Sequence, residues 1–268
     1  MKDFRNRHTF AICAYGDSPY LTECLDSLLR QTVKSPILLA TSTPSPFLRE
    51  VAEKNGIEYH VNPLRGGGIS ADWNFALSCC RTQWCTIAHQ DDVYLPAYAE
   101  NVTARLEQRP ETGIVFTDYA DLLPGGRQAY RRGYLIVKRL LLWPFYLRNH
   151  HASGFIKRWI LRFGCPICCP SVTYNLSLPE KPEFDSAFSV NPDWAMWLTL
   201  AGRQEEFAYC PKRLMLHRLS GGMETAAAIR DNRRAREDAL LFNRLWPAPI
   251  ARILAQVYAL SYRSNRSV

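Results

Sequence analysis

The strongest constraint on this chain is an alternation running through its first 121 residues. Short apolar runs of four to seven residues are separated by segments whose apolar positions recur every three or four residues. Thr9 to Tyr15 (TFAICAY) reads as a buried strand. Asp17-Ser18-Pro19 then sets a capping side chain ahead of a proline, and Leu21, Cys24, Leu25, Leu28 and Leu29 share one face of a helix over about 20–31. The pattern repeats, with strands at Ile37 to Ala40, Ile57 to Val61, Trp84 to Ala88 and Ile114 to Thr117. Helices are expected from Pro46 to Asn55, ended by Gly56, from Ser70 to Cys80 and from Pro96 to Gln108. Such alternation predicts an α/β fold, a mostly parallel sheet with helices on both faces. Open sheets of this kind bind ligands beyond the carboxyl ends of their strands. The informative positions are therefore Tyr15 to Asp17, Thr41 to Thr43, Asn62 to Gly68, His89 to Asp92 and Asp118.

The remainder of the chain is less regular. Between Leu122 and Pro179 the period is lost, broken by Pro124, Gly125, Gly126, Pro144, Gly154 and Pro166. A helical run returns at Trp194 to Ala201, and residues from about 226 to 268 are helical in pattern but interrupted by Pro247 and Pro249. Charge is unevenly placed. Residues 1–121 carry eleven Lys and Arg against fifteen Asp and Glu, residues 122–179 nine against none, and residues 180–268 thirteen against ten. This is a local basic surface rather than the overall basicity of a nucleic-acid binder. From Lys138 to Gly164, six Lys and Arg are interleaved with Leu140, Leu141, Leu142, Trp143, Phe145, Tyr146, Phe155 and Trp159. That mixture suits either a face meeting anionic lipid head groups or a helix pair packed on the sheet.

With 268 residues, 47% of them hydrophobic, the chain can bury a sizeable core, which excludes disorder. The best candidate for a membrane span, Leu140 to Leu147, is far short of the roughly 18 residues needed and contains Pro144. Met1 to His8 has no apolar secretion core, so a cytoplasmic protein is expected, with its nine cysteines as reduced thiols. Cys165-Pro-Ile-Cys168 lacks the second Cys or His pair that a zinc site needs. Gly66-Gly67-Gly68 matches neither a phosphate-binding Walker loop nor a dinucleotide fingerprint.

The sharpest chemical feature is His89-Gln90-Asp91-Asp92, directly after an apolar strand. Two acids and an imidazole there are poorly solvated unless something positive binds, and a divalent cation bridging to phosphates meets that need. Capping of the helix near Pro96 is the alternative use of the two acids.

At this point the order of parts resembles family 2 glycosyltransferases of the GT-A fold. The resemblance rests on the first strand, the Tyr20 to Thr32 helix (YLTECLDSLLRQT) and the Asn62 to Ala76 loop and helix (NPLRGGGISADWNFA). It extends through the acidic strand end, Asn191 to Leu198 (NPDWAMWL) and His217-Arg218-Leu219-Ser220, and so covers roughly residues 8–222. It implies that Asp91 holds Mn²⁺ or Mg²⁺ against a donor diphosphate, with His89 standing where the family's first metal-motif Asp stands, on metal or ribose. It implies that Asp193 is the base of an inverting transfer. Tyr15, Thr41, Ser42, Asp72, Asn74, Asp92, His217 and Arg218 are implied as nucleotide or substrate contacts, with Gly221-Gly222 as a hinge for loop closure. Thr41-Ser42-Thr43-Pro44 departs from the family, which places acids after the second strand to hold the base. Residues 1–121 are expected to bind the nucleotide-sugar, 122–222 the acceptor, and 223–268 to form a helical extension.

The resemblance implies transfer of a sugar from a nucleoside diphosphate donor, a UDP-sugar foremost, to a saccharide or lipid-linked saccharide in bacterial surface polysaccharide assembly, at the inner face of an anionic membrane. Two alternatives are a nucleotide-sugar-binding subunit without turnover and a sugar nucleotidyltransferase. The latter lacks its basic triphosphate loop at Cys13 to Asp17.

Overall fold

The structure, a computed structural model, describes residues 7–219 and 233–260. In chain order its first elements are β1 (His8–Ala14), α1 (Leu21–Leu29), β2 (Ile37–Thr41), α2 (Pro46–Asn55), β3 (Glu58–Val61), α3 (Gly68–Cys79), β4 (Trp84–His89), β5 (Val93–Tyr94), α4 (Tyr98–Gln108) and β6 (Thr112–Leu122). There follow β7 (Gln128–Ala129), α5 (Gly133–Leu141), α6 (Trp143–Leu147), β8 (His150–His151), α7 (Gly154–Leu161), β9 (Val172–Asn175), α8 (Pro192–Ala201), β10 (Glu206–Arg218), α9 (Arg233–Asn243) and α10 (Ala248–Leu260).

One ten-stranded sheet runs β3-β2-β1-β4-β9-β6-β10-β5, with β7 on β6 and β8 on β10. β1 to β4 are mutually parallel, and β6 is parallel to β10. Between these two groups β9 runs antiparallel to both β4 and β6. Strands covered on both faces need continuous apolar runs, and β2 (ILLAT) is buried at every position. Helix ends follow local chemistry. The Ser45 hydroxyl accepts from the Leu48 N–H at 3.1 Å, Pro46 opens α2, and Gly56 closes it at φ 62°.

The sheet carries a core on each face. On one face Leu21, Leu25 and Leu28 of α1, Leu48 of α2, and Tyr98, Val102 and Leu106 of α4 pack together. On the other, Trp73 of α3, Phe145 of α6, Ile160 of α7, Trp194 and Trp197 of α8, Leu241 and Phe242 of α9 and Ala251 of α10 do so. The C-terminal helices therefore belong to the main core.

Three local expectations are corrected. The stretch 122–179 is not irregular, since α5, α6, α7 and β9 lie within it. β10 crosses a segment with no strand expectation, because Pro211-Lys212-Arg213 interrupts its apolar pattern and is absorbed as a bulge where the register shifts. Asp118 does not follow a strand end. β6 continues to Leu122, and Asp118 is bound by Arg139 at 3.1 Å and faces Arg213 at 3.5 Å.

Candidate active site

The parallel frame fixes the end of β4. His89 lies in register with Cys13 of β1, and its ring stacks on Trp73 of α3 with centroids 5.2 Å apart. The Gln90 amide accepts from the Tyr15 N–H at 3.3 Å and donates to the Tyr15 carbonyl at 2.9 Å, joining the tips of β1 and β4. The turn closes with the Asp92 N–H donating to the His89 carbonyl at 3.2 Å.

Arg218, at the end of β10, clamps this turn. Its backbone N–H donates to Asp92 Oδ1 at 2.8 Å and its Nε to the Asp91 carbonyl at 2.7 Å. The guanidinium lies over the Tyr20 ring, 4.2 Å from its centroid, and pairs with Glu23. One guanidinium N–H thus goes to the acidic turn and one to α1.

Two buried atoms of the turn lack a hydrogen-bond partner, His89 Nε2 and Asp92 Oδ2. One ligand atom from each of His89, Asp91 and Asp92 falls within 4.8 Å of the others, and this is the sole such group of three among the described residues. Burial, reinforced by the charge of Asp91, pushes the Asp92 carboxyl well above its usual range, and burial raises Asp91 against the pull of Arg218. Burial also drops His89 to about 4, so its imidazole is neutral with a lone pair to offer. Acids held at a cost beside a neutral imidazole fit a divalent cation better than they fit helix capping. The nine cysteines are free thiols, and none joins a metal-ligating group among the described residues.

Around this turn lie the strand ends expected to meet a nucleotide. Thr41 is buried and its Oγ1 accepts from the Thr43 N–H at 3.0 Å, while Thr43 Oγ1 accepts from the Gly16 N–H at 2.7 Å. Tyr15 is exposed at the mouth. Ser42 donates to Asp72 Oδ2 at 2.8 Å, and Asn62 donates to Asp72 Oδ1 at 2.9 Å. α3 thus brings a carboxylate to the place where the sequence after β2 has none. Asn74 is not brought to the site. Its amide exchanges both hydrogen bonds with the Phe184 backbone, at 2.9 and 2.8 Å, and ties α3 to that loop.

Asp193 stands in the first turn of α8. Burial raises its carboxyl, against the Asp193 and Trp194 N–H groups and the positive charges of Arg234 and Lys138. His217, in register with Asp121, is held neutral at about 3 by burial and by Lys138 and His89 nearby. Burial raises the Cys168 thiol, with Lys138 drawing it down and Asp92, Asp121 and Asp193 pushing it up. Gly221-Gly222 lies outside the described residues.

Lys138 belongs to the basic and aromatic stretch for which the sequence leaves two settings open, a lipid-facing surface or a helix pair packed on the sheet. It donates from α5 to the Tyr119 hydroxyl at 3.1 Å, and the Tyr119 ring packs edge-on to His217 at 6.1 Å. It has no carboxylate partner among the described residues. The only sequence signal was its place three residues after the buried Leu135, on that residue's side of α5.

Comparison with known proteins agrees with this architecture. No curated protein matches the chain in sequence. A structure of S. aureus TarS, residues 1–349, superposes with a TM-score of 0.59 at 12% identity over 93% of this chain and 69% of that one. The same protein in complex with UDP-GlcNAc gives 0.58 at 14% identity, over 93% and 70%. The mannosyltransferase PcManGT of Pyrobaculum calidifontis, in complex with GDP-Man and Mn²⁺, gives 0.60 at 18% identity, over 95% and 70%. The GT-A architecture is thereby shared. The family profile described as glycosyl transferase family 2 matches residues 9–170, more than half of the chain, so the chain belongs to that family and is a glycosyltransferase.

Proposed function

We propose that this glycosyltransferase moves a sugar, with inversion, from a nucleoside diphosphate donor to a hydroxyl of a saccharide or lipid-linked saccharide, and that it requires a divalent cation. The observation that carries the reading is the pair of buried atoms without a hydrogen-bond partner, His89 Nε2 and Asp92 Oδ2, in the His89, Asp91 and Asp92 group at the end of β4. Asp91, Asp92 and His89 would hold Mn²⁺ or Mg²⁺, which when bound supplies positive charge to the departing diphosphate. Asp193 accepts the acceptor hydroxyl's proton as its oxygen bonds to the anomeric carbon. The bond from that carbon to the diphosphate oxygen breaks, and the electron pair leaves with the diphosphate. Burial keeps Asp193 more basic than an exposed carboxylate, which favours proton acceptance. Lys138 gives the leaving group a second positive neighbour.

The donor is read as a UDP-sugar, with Ser42 and the Asp72 and Asn62 side chains at the base. Structures of this fold that hold UDP-GlcNAc, or GDP-Man with Mn²⁺, support a nucleotide-sugar donor. In this reading residues 1–121 bind the donor, 122–222 the acceptor, and 223–268 extend the second part. Among the described residues no helix is long and apolar enough to cross a membrane. The α5 to α7 stretch nevertheless exposes Leu140, Trp143, Leu147 and Phe155, and α10 exposes Ile253 and Val257. With Arg127, Arg131, Arg148 and Arg158 exposed and no acid in 122–179, this face suits an anionic inner-leaflet surface in surface polysaccharide assembly. Retention on anionic but not neutral liposomes at low salt is the expected outcome.

The test of the reaction is nucleoside diphosphate release from a panel of nucleotide sugars, with and without Mn²⁺. Cation-dependent release from one donor, lost in Asp91→Asn, is expected. Release that is equal without the cation would overturn the metal role.

A further inference from the structure

α8 begins without a cap from its own chain neighbours: the N-cap Asn191 makes no side-chain cap bond and Pro192 has no N–H. Three consecutive donors ahead of it, the N–H groups of Ser189, Val190 and Asn191, all go to Glu237 of α9. Oε1 accepts from the Ser189 N–H and from its hydroxyl, both at 2.8 Å. Oε2 accepts from Val190 at 3.0 Å and Asn191 at 2.8 Å. Beside it Asp238 Oδ1 accepts from the Asn191 amide at 2.9 Å. Glu237 is 7% exposed and Asp238 1%. The turn that carries Asp193 is therefore located by one carboxylate some 46 to 48 residues further along the chain.

We infer that Glu237, assisted by Asp238, is a positioning residue that aims Asp193 at the acceptor hydroxyl. The inference rests on the proposed role of Asp193 as base. A proton acceptor must be held within a few tenths of an ångström of its working place, and a displacement of about 1 Å can cost about 100-fold in rate. The donor site, on β1, β2, β4 and α3, shares no hydrogen bond with Glu237. A fault in Glu237 should therefore be felt in turnover and not in donor binding.

The variant Glu237→Gln keeps volume but sets an amide donor against backbone N–H groups. Wild type and E237Q are compared for kcat, donor KM and calorimetric affinity for UDP and GDP. The same substitution is repeated in an Asp193→Asn background. The expected result is a fall in kcat of about 100-fold with KM and nucleotide affinity within about twofold, and no further loss in the D193N background. Unchanged kcat, an equal fall in nucleotide affinity, or a full additional loss on top of D193N overturns the inference. Should E237Q fail to fold, Asn191→Ala releases Asp238 alone. A fall in kcat of about fivefold at constant nucleotide affinity then supports the inference, and an unchanged kcat overturns it. Wild-type protein with no transfer from any donor would overturn the transferase mechanism instead, so the two failures are distinct.

Discussion

The two acidic turns of this molecule are built by different means. The Asp91-Asp92 turn ends a buried strand inside a parallel frame, with β1 beside it, Trp73 stacked on its histidine and Gln90 fastening it to Tyr15. Arg218 adds a clamp from the end of β10. The Asp193 turn has no such frame. It is held by α9 through Glu237 and Asp238. A sheet edge is stiff because every strand shares its hydrogen bonds with neighbours, whereas a helix start is only as fixed as whatever occupies its open N–H groups. The expectation is a donor end that resists change outside itself and an acceptor end that depends on the C-terminal helices.

The largest effect should come from the stiff end. Asp91→Asn removes a carboxylate from the three-residue group, and nucleoside diphosphate release should fall about 1000-fold or more with loss of Mn²⁺ response. If release falls but the Mn²⁺ response persists, His89 and Asp92 suffice for the cation and the β4 turn is less committed than its geometry suggests. Asp193→Asn comes next, with kcat reduced about 100- to 10,000-fold and donor KM unchanged. Because burial raises the Asp193 carboxyl, kcat/KM should decline on the acid side at a pH above the usual carboxylate range, since only the ionised form accepts a proton. An acid limb at an ordinary carboxylate value would show that the turn opens to water during turnover.

Lys138, whose charge draws the Asp193 carboxyl down, tests whether the two turns work as one site. Lys138→Ala should cut kcat/KM about tenfold and narrow the affinity gap between UDP and UMP, because the lost ammonium would face the terminal phosphate. Loss of membrane retention with no change in that gap would return Lys138 to the outer surface.

The same contrast governs what could be read from the residues. β1, α2 and the β4 turn were legible because their signals are local: an apolar run, Ser45-Pro46 before α2 and Gly56 after it, two acids at a strand end. α8 was legible at its start through Pro192-Asp193. β10 was not, because its bulge places Pro211, Lys212 and Arg213 outward in mid-strand. α5 to α7 were not, because their apolar residues divide between a buried set, Leu135, Phe145 and Ile160, and an exposed set, Leu140, Leu147 and Phe155, which erases the period. The Asp72 carboxylate behind Ser42, and Glu237 behind Asp193, are products of packing between distant segments, which no spacing reveals.

The smallest expected effect separates the two ends by opposite responses to pH. At the foot of the parallel frame His8 is buried, bonded to Ser35 and Thr86 at 2.8 Å each, and burial lowers it to about 3. Its folded form prefers to be neutral, so its contribution is complete above the unfolded value near 6.5 and is lost as pH falls from there towards 3. At the other end Asp238 is pushed up to about 7 by burial and by the charges of Glu237 and Asp193, against Arg234 and the Asn191 amide. Its folded form prefers to keep the proton. That contribution is complete below the unfolded value of about 3.9 and is lost as pH rises through 7. Each group should impose a slope of up to about 1.4 kcal/mol per pH unit within its window. Urea unfolding between pH 4 and 8 should therefore show the rise from His8 partly cancelled by the fall from Asp238. Asp238→Asn, neutral at every pH, should remove the second slope and so steepen the rise between about pH 4 and 6.5, where the two windows overlap. A curve of the same shape in D238N would mean that Asp238 is ionised in the folded protein, and that the α8 turn is held by charge at Glu237 and Asp238 together rather than by Glu237 alone.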